Sequence, residues 1–349
     1  MNTTKFNPSA ELLSHTIDGW LVIEKLDMSN STGGQFSCGY IAEDAKGEKV
    51  FLKALDFSIA FEDPTQQVDM LNYMTEAYIF ERDLLRECSA RKVNNVIRLM
   101  AFGAYNPDNN WPYAVNYLIM EKADRSAREI LQLSAELDTL WALKSLHSIA
   151  VALNNLHAIN VAHQDVKPSN VLYFSSDDKS KIGDVGRASS LNIESPNDIF
   201  DIAGDKLYSP FELRYGMSDI DWRRRRYSCD MFMFGNLIMT YFNGVSITTN
   251  TLKYLGEEFQ PGLWCDDYSQ VLPYIESAFY QVVDNFAPLP DDNLRNELMI
   301  MVTELCHPNP VVRGDSKEKG LQRFSLQRYI SKLDYLYRKY EYKLRKGDL

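Results

Sequence analysis

The stretch His163-Gln164-Asp165-Val166-Lys167-Pro168-Ser169-Asn170-Val171-Leu172, followed after eleven residues by Asp184-Val185-Gly186, decides the fold. An Asp, an Asn five residues on and a second Asp nineteen on form a set suited to phosphoryl transfer. The first carboxylate can accept the proton of an attacking hydroxyl. The Asn170 amide oxygen and the Asp184 carboxylate can hold Mg2+ on nucleotide phosphates. Lys167 adds a cation two residues after the base, where a transferring phosphoryl group needs compensating charge. The apolar run Val171-Leu172-Tyr173-Phe174 reads as a short strand, so the polar set lies on a loop between a helix and a strand.

Working outward, the chain up to about residue 122 is strand-rich. The segments 20–23, 36–42, 50–55, 96–102 and 117–121 carry β-branched and aromatic residues between turn signals. One helical pattern interrupts them at 70–88, with apolar residues at spacings of three and four. Beyond residue 125 helices dominate. Residues 140–156 form an amphipathic helix that leads into the loop, and 227–242 is apolar nearly all round, the pattern of a buried central helix.

Composition narrows the function classes. The 349 residues are 45% hydrophobic and 24% charged, which is globular and long enough for two lobes. A net charge of −11 argues against nucleic acid as the main partner. Apolar runs are short, Leu237-Ile238-Met239 being typical, so no membrane span is expected. The first residues have no apolar core after them, so no signal peptide is expected. Five scattered cysteines, Cys38, Cys88, Cys229, Cys265 and Cys306, read as reduced thiols of a cytoplasmic protein. The five histidines show no metal spacing.

The pattern His163-x-Asp165-x-Lys167-Pro168-x-Asn170 with Asp184-x-Gly186 resembles the catalytic and metal-binding loops of protein kinases. The resemblance extends over about residues 20–315. It implies an α+β, two-lobed protein-kinase-like fold: a β-rich N-lobe over 1–122, a helical C-lobe over 123–318 and a helical extension over 319–349. The active site then lies in a cleft between the lobes. It implies a serine/threonine protein kinase using ATP and Mg2+ on a protein substrate. Asp165 is then the catalytic base, Lys167 stabilises the transferring phosphoryl, and Asn170 and Asp184 hold metal. Lys53 contacts the α- and β-phosphates and pairs with a helix glutamate, Glu81 by preference and Glu76 otherwise. Thr32, Gly33, Gly34 and Ser37 line a degraded glycine-rich loop over the phosphates. Adenine bonds to backbone near Glu121 and Ala123, with Met120 guarding the back of its pocket. Glu212 should pair with Arg313, and Asp230 should brace the catalytic-loop backbone.

The departures matter as much. Gln164 replaces the Arg that in the family pairs with an activation-loop phosphate, so this loop should order without phosphorylation. Its acids, Glu194, Asp198, Asp201 and Asp205, could be held by the arginine run 223–226. Asp205 replaces a Thr and should ion-pair with Lys167 while repulsion keeps it from Asp165. Phe51 stands for Ala and Gly39 for Val, and Phe51 should fill the space that Gly39 opens. Val185 replaces a Phe. A helical stripe, Leu326-Ile330-Leu333-Tyr337-Tyr340-Leu344, is expected to dock on the large lobe, the alternative being a partner surface. The departures resemble bacterial or phage-defence kinases more than animal ones. Two alternatives stay open: a pseudokinase that binds nucleotide, and an aminoglycoside-type small-molecule phosphotransferase.

Overall fold

The structure, a computed structural model, describes residues 7–27, 36–107 and 111–347. The chain divides into two compact units. One takes Met1–Asp124 and Asp184–Gly186, the other Arg125–Gly183 and Arg187–Leu349.

The first unit is built on a six-stranded sheet in the order β1-β2-β3-β4-β6-β5, every neighbouring pair antiparallel. Its strands are β1 (Thr16–Ile17), β2 (Trp20–Lys25), β3 (Ser37–Glu43), β4 (Lys49–Leu55), β5 (Leu99–Tyr105) and β6 (Val115–Glu121). Side chains alternate between faces along each strand. Tyr40 and Ala42, Val50, Leu52 and Ala54, and Val115, Tyr117 and Ile119 therefore share one face, and they form the core with Leu12, Ile17 and Val22 from the chain before and along β2. The opposite face carries Gly39 and Ile41, Phe51 and Lys53, and Leu118 and Met120. Helix α1 (Gln67–Ala90) sends Glu81 to this second face and buries Phe80, Leu84 and Leu85. β1 is a two-residue hairpin partner of β2 that the sequence pattern did not show.

In the second unit α2 (Ala127–Leu133) starts at a capping box of Ser126 and Glu129. α3 (Thr139–Ala158) starts where the Asp138 side chain accepts from the Trp141 amide. The small strands β7 (Arg125–Ser126), β9 (Val171–Phe174) and β10 (Lys179–Ile182) pair in one sheet, and β8 (Val161–Ala162) pairs with β11 (Ser189–Ser190). After the four-residue α4 (Phe211–Arg214) comes α5 (Trp222–Asn243), buried from Arg226 to Tyr241 and closed by Gly244 at φ +73°. α6 (Ile247–Tyr254), α7 (Tyr268–Asp284) and α8 (Asp292–Leu305) follow. Gly235 is where α5 meets the end of α8: a Cβ there would lie 2.5 Å from Cys306 Sγ and 2.6 Å from Leu305 Cβ.

The last helix, α9 (Gln327–Lys346), packs on α3, with the His147 and Tyr337 rings 5.6 Å apart. Leu333 and Tyr340 of the expected stripe are buried, but so are Tyr329 and Leu336, while Leu344 is 47% exposed. The stripe was right about docking and partly wrong about which positions face inward. The helix presents two adjacent apolar rows, and spacing alone does not choose between them. Among the described residues no helix is long and apolar enough to cross a membrane.

Candidate active site

In the first unit, antiparallel pairing puts Lys53 at the centre of the sheet, opposite Gly39 on β3 and Leu118 on β6. Its ammonium lies 2.7 and 2.9 Å from the two Glu81 oxygens and 3.3 Å from Asp184 Oδ1. Glu81, not Glu76, is therefore the carboxylate that meets Lys53. Burial works against the charge on Lys53, but Asp184 and Glu81 outweigh it and hold the ammonium above the usual lysine range. Asp184 adopts φ +53°, an uncommon conformation for a residue with a side chain. Gly186 keeps the turn thin, since a Cβ there would meet Glu81 Oε2 at 3.3 Å.

The Phe51 expectation holds as to its face. Phe51 shares the face of Lys53, yet the residue across from Gly39 is Lys53 itself. Phe51 stands opposite Ile41 and Met120, diagonal to the glycine. Ser37 opens β3 instead of lying in a loop. Thr32, Gly33 and Gly34 lie outside the described residues. The Glu121 amide donates to Arg98 O at 3.2 Å, its carboxylate accepts from Arg98 N at 2.9 Å, and Ala123 O accepts from Lys122 Nζ at 3.2 Å.

In the second unit, the loop after β8 is held from beneath by Asp230 of α5, which is fully buried. Its carboxylate accepts the amides of His163 and Gln164, each at 2.8 Å, and lies 2.9 Å from both His157 Nε2 and Gln164 Nε2. The His163 ring Nε2 lies 3.0 Å from Gly183 O. Gln164 is turned to φ +63°. This bracing presents Asp165, on whose carboxylate three donors converge. Lys167 Nζ lies 2.9 Å from Oδ2, Asn170 Nδ2 lies 2.9 Å from Oδ2, and the Asp205 amide lies 2.8 Å from Oδ1.

The expected Asp205–Lys167 ion pair is present at 3.8 Å, longer than the 2.9 Å between Lys167 and Asp165. What the sequence reading did not foresee is that Asp205 also touches Asp165, through its backbone N–H and not its carboxylate. Gly204 makes the approach possible: a Cβ there would fall 2.2 Å from Gln164 O and 2.7 Å from Asp165 Oδ1.

In the second unit, Asn170 spends its NH2 on Asp165 O and Oδ2 and turns its amide oxygen toward Ser169 Oγ at 3.5 Å, a hard oxygen donor of the kind a dication takes. In the first unit, Asp184 offers a carboxylate. Among the described residues no group of three His, Cys, Asp or Glu side chains could hold a metal by itself.

Below the loop, Arg313 fills the second unit's interior and grips Glu212 with both guanidinium nitrogens, at 2.6 and 2.7 Å. Of the arginine run, Arg223 bonds Asn160 Oδ1 at 2.9 Å and Arg224 pairs with Asp219 at 3.1 Å. Arg226 is the member that reaches the 187–205 segment, pairing with Asp198 at 3.1 Å. The expectation that the run holds the acidic segment is thus met at Arg226 and Asp198, although the sequence reading did not say which arginine does it. A signal was present: Arg226 stands one helical turn before Asp230 and so shares the face that meets the loop of residues 163–170.

A family profile described as the protein kinase domain matches residues 33–318. The chain belongs to the protein kinase family. It is 36% identical over 105 residues to the mitosis inhibitor protein kinase mik1 of Schizosaccharomyces pombe, a match covering 29% of this chain and 17% of that protein. It is 26% identical over 161 residues to a protein of Clostridium acetobutylicum named as a probable serine/threonine-protein kinase, covering 46% of this chain and 23% of the other. The kinase matches thus span less than a quarter of either relative's length.

Proposed function

We propose that the chain is an ATP- and Mg2+-dependent serine/threonine protein kinase with Asp165 as its catalytic base. The observation that carries this reading is the Asp165 carboxylate, oriented by Lys167, Asn170 and the Asp205 amide. Asp165 takes the proton of the acceptor hydroxyl as that oxygen attacks the γ-phosphorus, while the bond from the γ-phosphorus to the β,γ-bridging oxygen breaks and ADP leaves. Lys167, bonded to the base, offsets charge on the transferring phosphoryl. Lys53, locked by Glu81, orients the α- and β-phosphates. Asn170 and Asp184 hold Mg2+, which neutralises phosphate charge when bound. Backbone at Glu121 and Ala123 and the loop of Thr32, Gly33, Gly34 and Ser37 receive the nucleotide. Lys167-Pro168 supports a protein hydroxyl as acceptor over a small molecule, and the Clostridium relative's name supports serine and threonine. The five cysteines are all free thiols, which supports the cytoplasm as the compartment.

Transfer of labelled γ-phosphate from ATP tests the reading. Wild type should label serine and threonine in protein acceptors and not aminoglycosides. Asp165→Asn should lower the rate by about 10²–10⁴. Labelling of aminoglycosides alone would move the chain to small-molecule transfer. Nucleotide binding without transfer would make it a binding module.

A further inference from the structure

Arg214 closes α4, and its guanidinium is half-buried with no counter-charge. Its Nε is shut off from water and has no partner among the described residues. Nη1 donates to Lys206 O at 2.7 Å, and among the described residues that carbonyl is the one group bonded to the side chain. Burial holds the guanidinium below the usual arginine value, and Tyr215 alone opposes the shift. The chain has 48 acidic side chains to 37 Lys and Arg, so the lack of a carboxylate is not for want of acids.

The acids near Arg214 in sequence are engaged elsewhere. The Asp205 carboxylate accepts from Leu207 N at 2.9 Å and stands 3.8 Å from Lys167. Glu212 is gripped by Arg313, and Asp219 pairs with Arg224 at 3.1 Å. Lys206, whose carbonyl Arg214 holds, is exposed, and its ammonium has no carboxylate partner among the described residues. Two adjoining cations are thus left without an anion from the chain itself.

Their place gives them a use. Lys206 follows Asp205, whose amide lies 2.8 Å from Asp165 Oδ1. Ser209 Oγ also donates to Lys206 O, at 2.9 Å, so the carbonyl that orients Arg214 is itself fixed. Arg214 is therefore tied to the stretch of chain beside the proposed base. A guanidinium carries five N–H donors. One is buried on Nε and one is spent on Lys206 O, which leaves both hydrogens of Nη2 and one of Nη1. Water can meet those donors but brings no charge. An anion would make charge-assisted bonds and compensate a partly desolvated cation.

We infer that Arg214, with Lys206 beside it, is a specificity subsite for an acidic side chain, a carboxylate or a phosphate ester, carried by the protein substrate near its target hydroxyl. The inference rests on the kinase reading and names a class of substrate for it. The subsite is distinct from the Asp205 carboxylate, which faces Lys167.

The test uses the full chain and a set of serine peptides in which one Ala is replaced by Asp, moved one position at a time along either side of the serine. Wild type should favour Asp over Ala at one position by about tenfold in kcat/KM, mostly through KM, the size of one bond to a charged group. Phosphoserine at that position should do at least as well. Arg214→Gln should bring the ratio there to about one, and Arg214→Lys should keep part of it. Arg214→Glu should turn the preference toward Lys at the same position, a reversal that a merely structural role does not produce. A second arm measures binding without ATP, by fluorescence anisotropy of the same peptides with the serine replaced by Ala. The inference is overturned by equal rates for Asp and Ala at every position, by a ratio unchanged in Arg214→Gln, or by a preference for Asp that survives Arg214→Glu. Inorganic phosphate that displaces the Asp peptide as well as the phosphoserine peptide does would make this a general anion site and overturn the substrate assignment. No transfer by wild type, with a binding ratio that Arg214→Gln removes, would sink the kinase and keep the subsite.

Discussion

Arg313 and Arg226 are both 0% exposed and both belong to the second unit, but they are held in different ways. Arg313 makes two parallel bonds to Glu212, adds Ser228 Oγ at 3.1 Å and His307 O at 3.0 Å, and lies over the Phe232 ring at 4.9 Å. Burial works against its charge, yet Glu212 more than compensates and holds it above the usual arginine value. Arg226 meets its carboxylate through a single nitrogen, its Nε has no partner among the described residues, and burial with repulsion from Arg225 holds it below the usual value. Its partner Asp198 has a side chain 32% exposed, against 8% for Glu212. Equal burial therefore conceals two kinds of pair. One is a closed bolt between rigid pieces. The other is a latch whose anion can reach water when it opens.

The largest effect should come from breaking the bolt. Arg313→Met strands Glu212 as a buried charge and should cost about 3–5 kcal/mol in denaturant unfolding. The double variant Arg313→Met/Glu212→Leu should recover much of that, because replacing both partners removes the stranded charge. A double variant no more stable than the single one would deny that the pair is a self-contained unit. Arg226→Met should cost less, about 0.5–2 kcal/mol, since Asp198 can hydrate in place of its lost partner. Equal losses for the two variants would erase the distinction between bolt and latch.

The two arginines also mark how far sequence could see. Glu212 and Arg313 are separated by 100 intervening positions, but each sits in a recognisable short motif, so the pair could be anticipated. The same holds for Asp165, Lys167, Asn170 and Asp184, whose spacing within one loop and strand leaves little freedom. Arg223 to Arg226 was harder. Four successive helix residues, about 100° apart, point to every side of α5, so composition alone cannot name the inward one. At Asp205 only half was legible. The residue type advertised the side-chain pair with Lys167, which is present, but the bond to Asp165 comes from a backbone amide that any residue except proline would supply. Lys53 and Glu81 met because strand alternation and helix periodicity each fix a face. The sequence could not tell that Phe51 stands across from Ile41, since strand register depends on a turn it does not specify.

A smaller effect should appear with acid, and only at the bolt. His307 offers its carbonyl to Arg313, and its ring is held below the usual imidazole pKa by burial first and by Arg313 next. A depressed folded pKa means that the unfolded chain binds the proton better. Stability from this group is therefore full above the unfolded value near 6.5 and is lost as pH falls through it toward the lower folded value. Glu276, 4.0 Å from the ring, is a partner for the charged form and will soften the loss. His307→Asn cannot take a proton there, so its unfolding free energy should fall less between pH 7 and pH 5 than that of wild type. A residual slope should remain from His147, also depressed by burial. Parallel curves for wild type and His307→Asn would remove His307 from the account. The Arg226 latch should show no matching change, because no histidine bonds to it among the contacts seen.

The smallest effect should be at Asp205, and there the comparison is between a residue's backbone and its side chain. The amide fixes Asp165 at 2.8 Å, while the carboxylate accepts from Leu207 N at 2.9 Å and stands 3.8 Å from Lys167. If the amide does the positioning, Asp205→Ala should keep turnover within about threefold, because Lys167 keeps its shorter 2.9 Å contact with Asp165 when the 3.8 Å pair is lost. Asp205→Pro removes the N–H and should lower turnover far more, as a lost bond to a charged group does. The carboxylate keeps one role, a negative charge near the acceptor side, which should favour protein substrates with basic residues near the target hydroxyl. Asp205→Ala and Asp205→Thr should both flatten that preference while transfer continues. Turnover that collapses in Asp205→Ala, or a basic preference that survives it unchanged, would return the role to the side chain or remove it altogether.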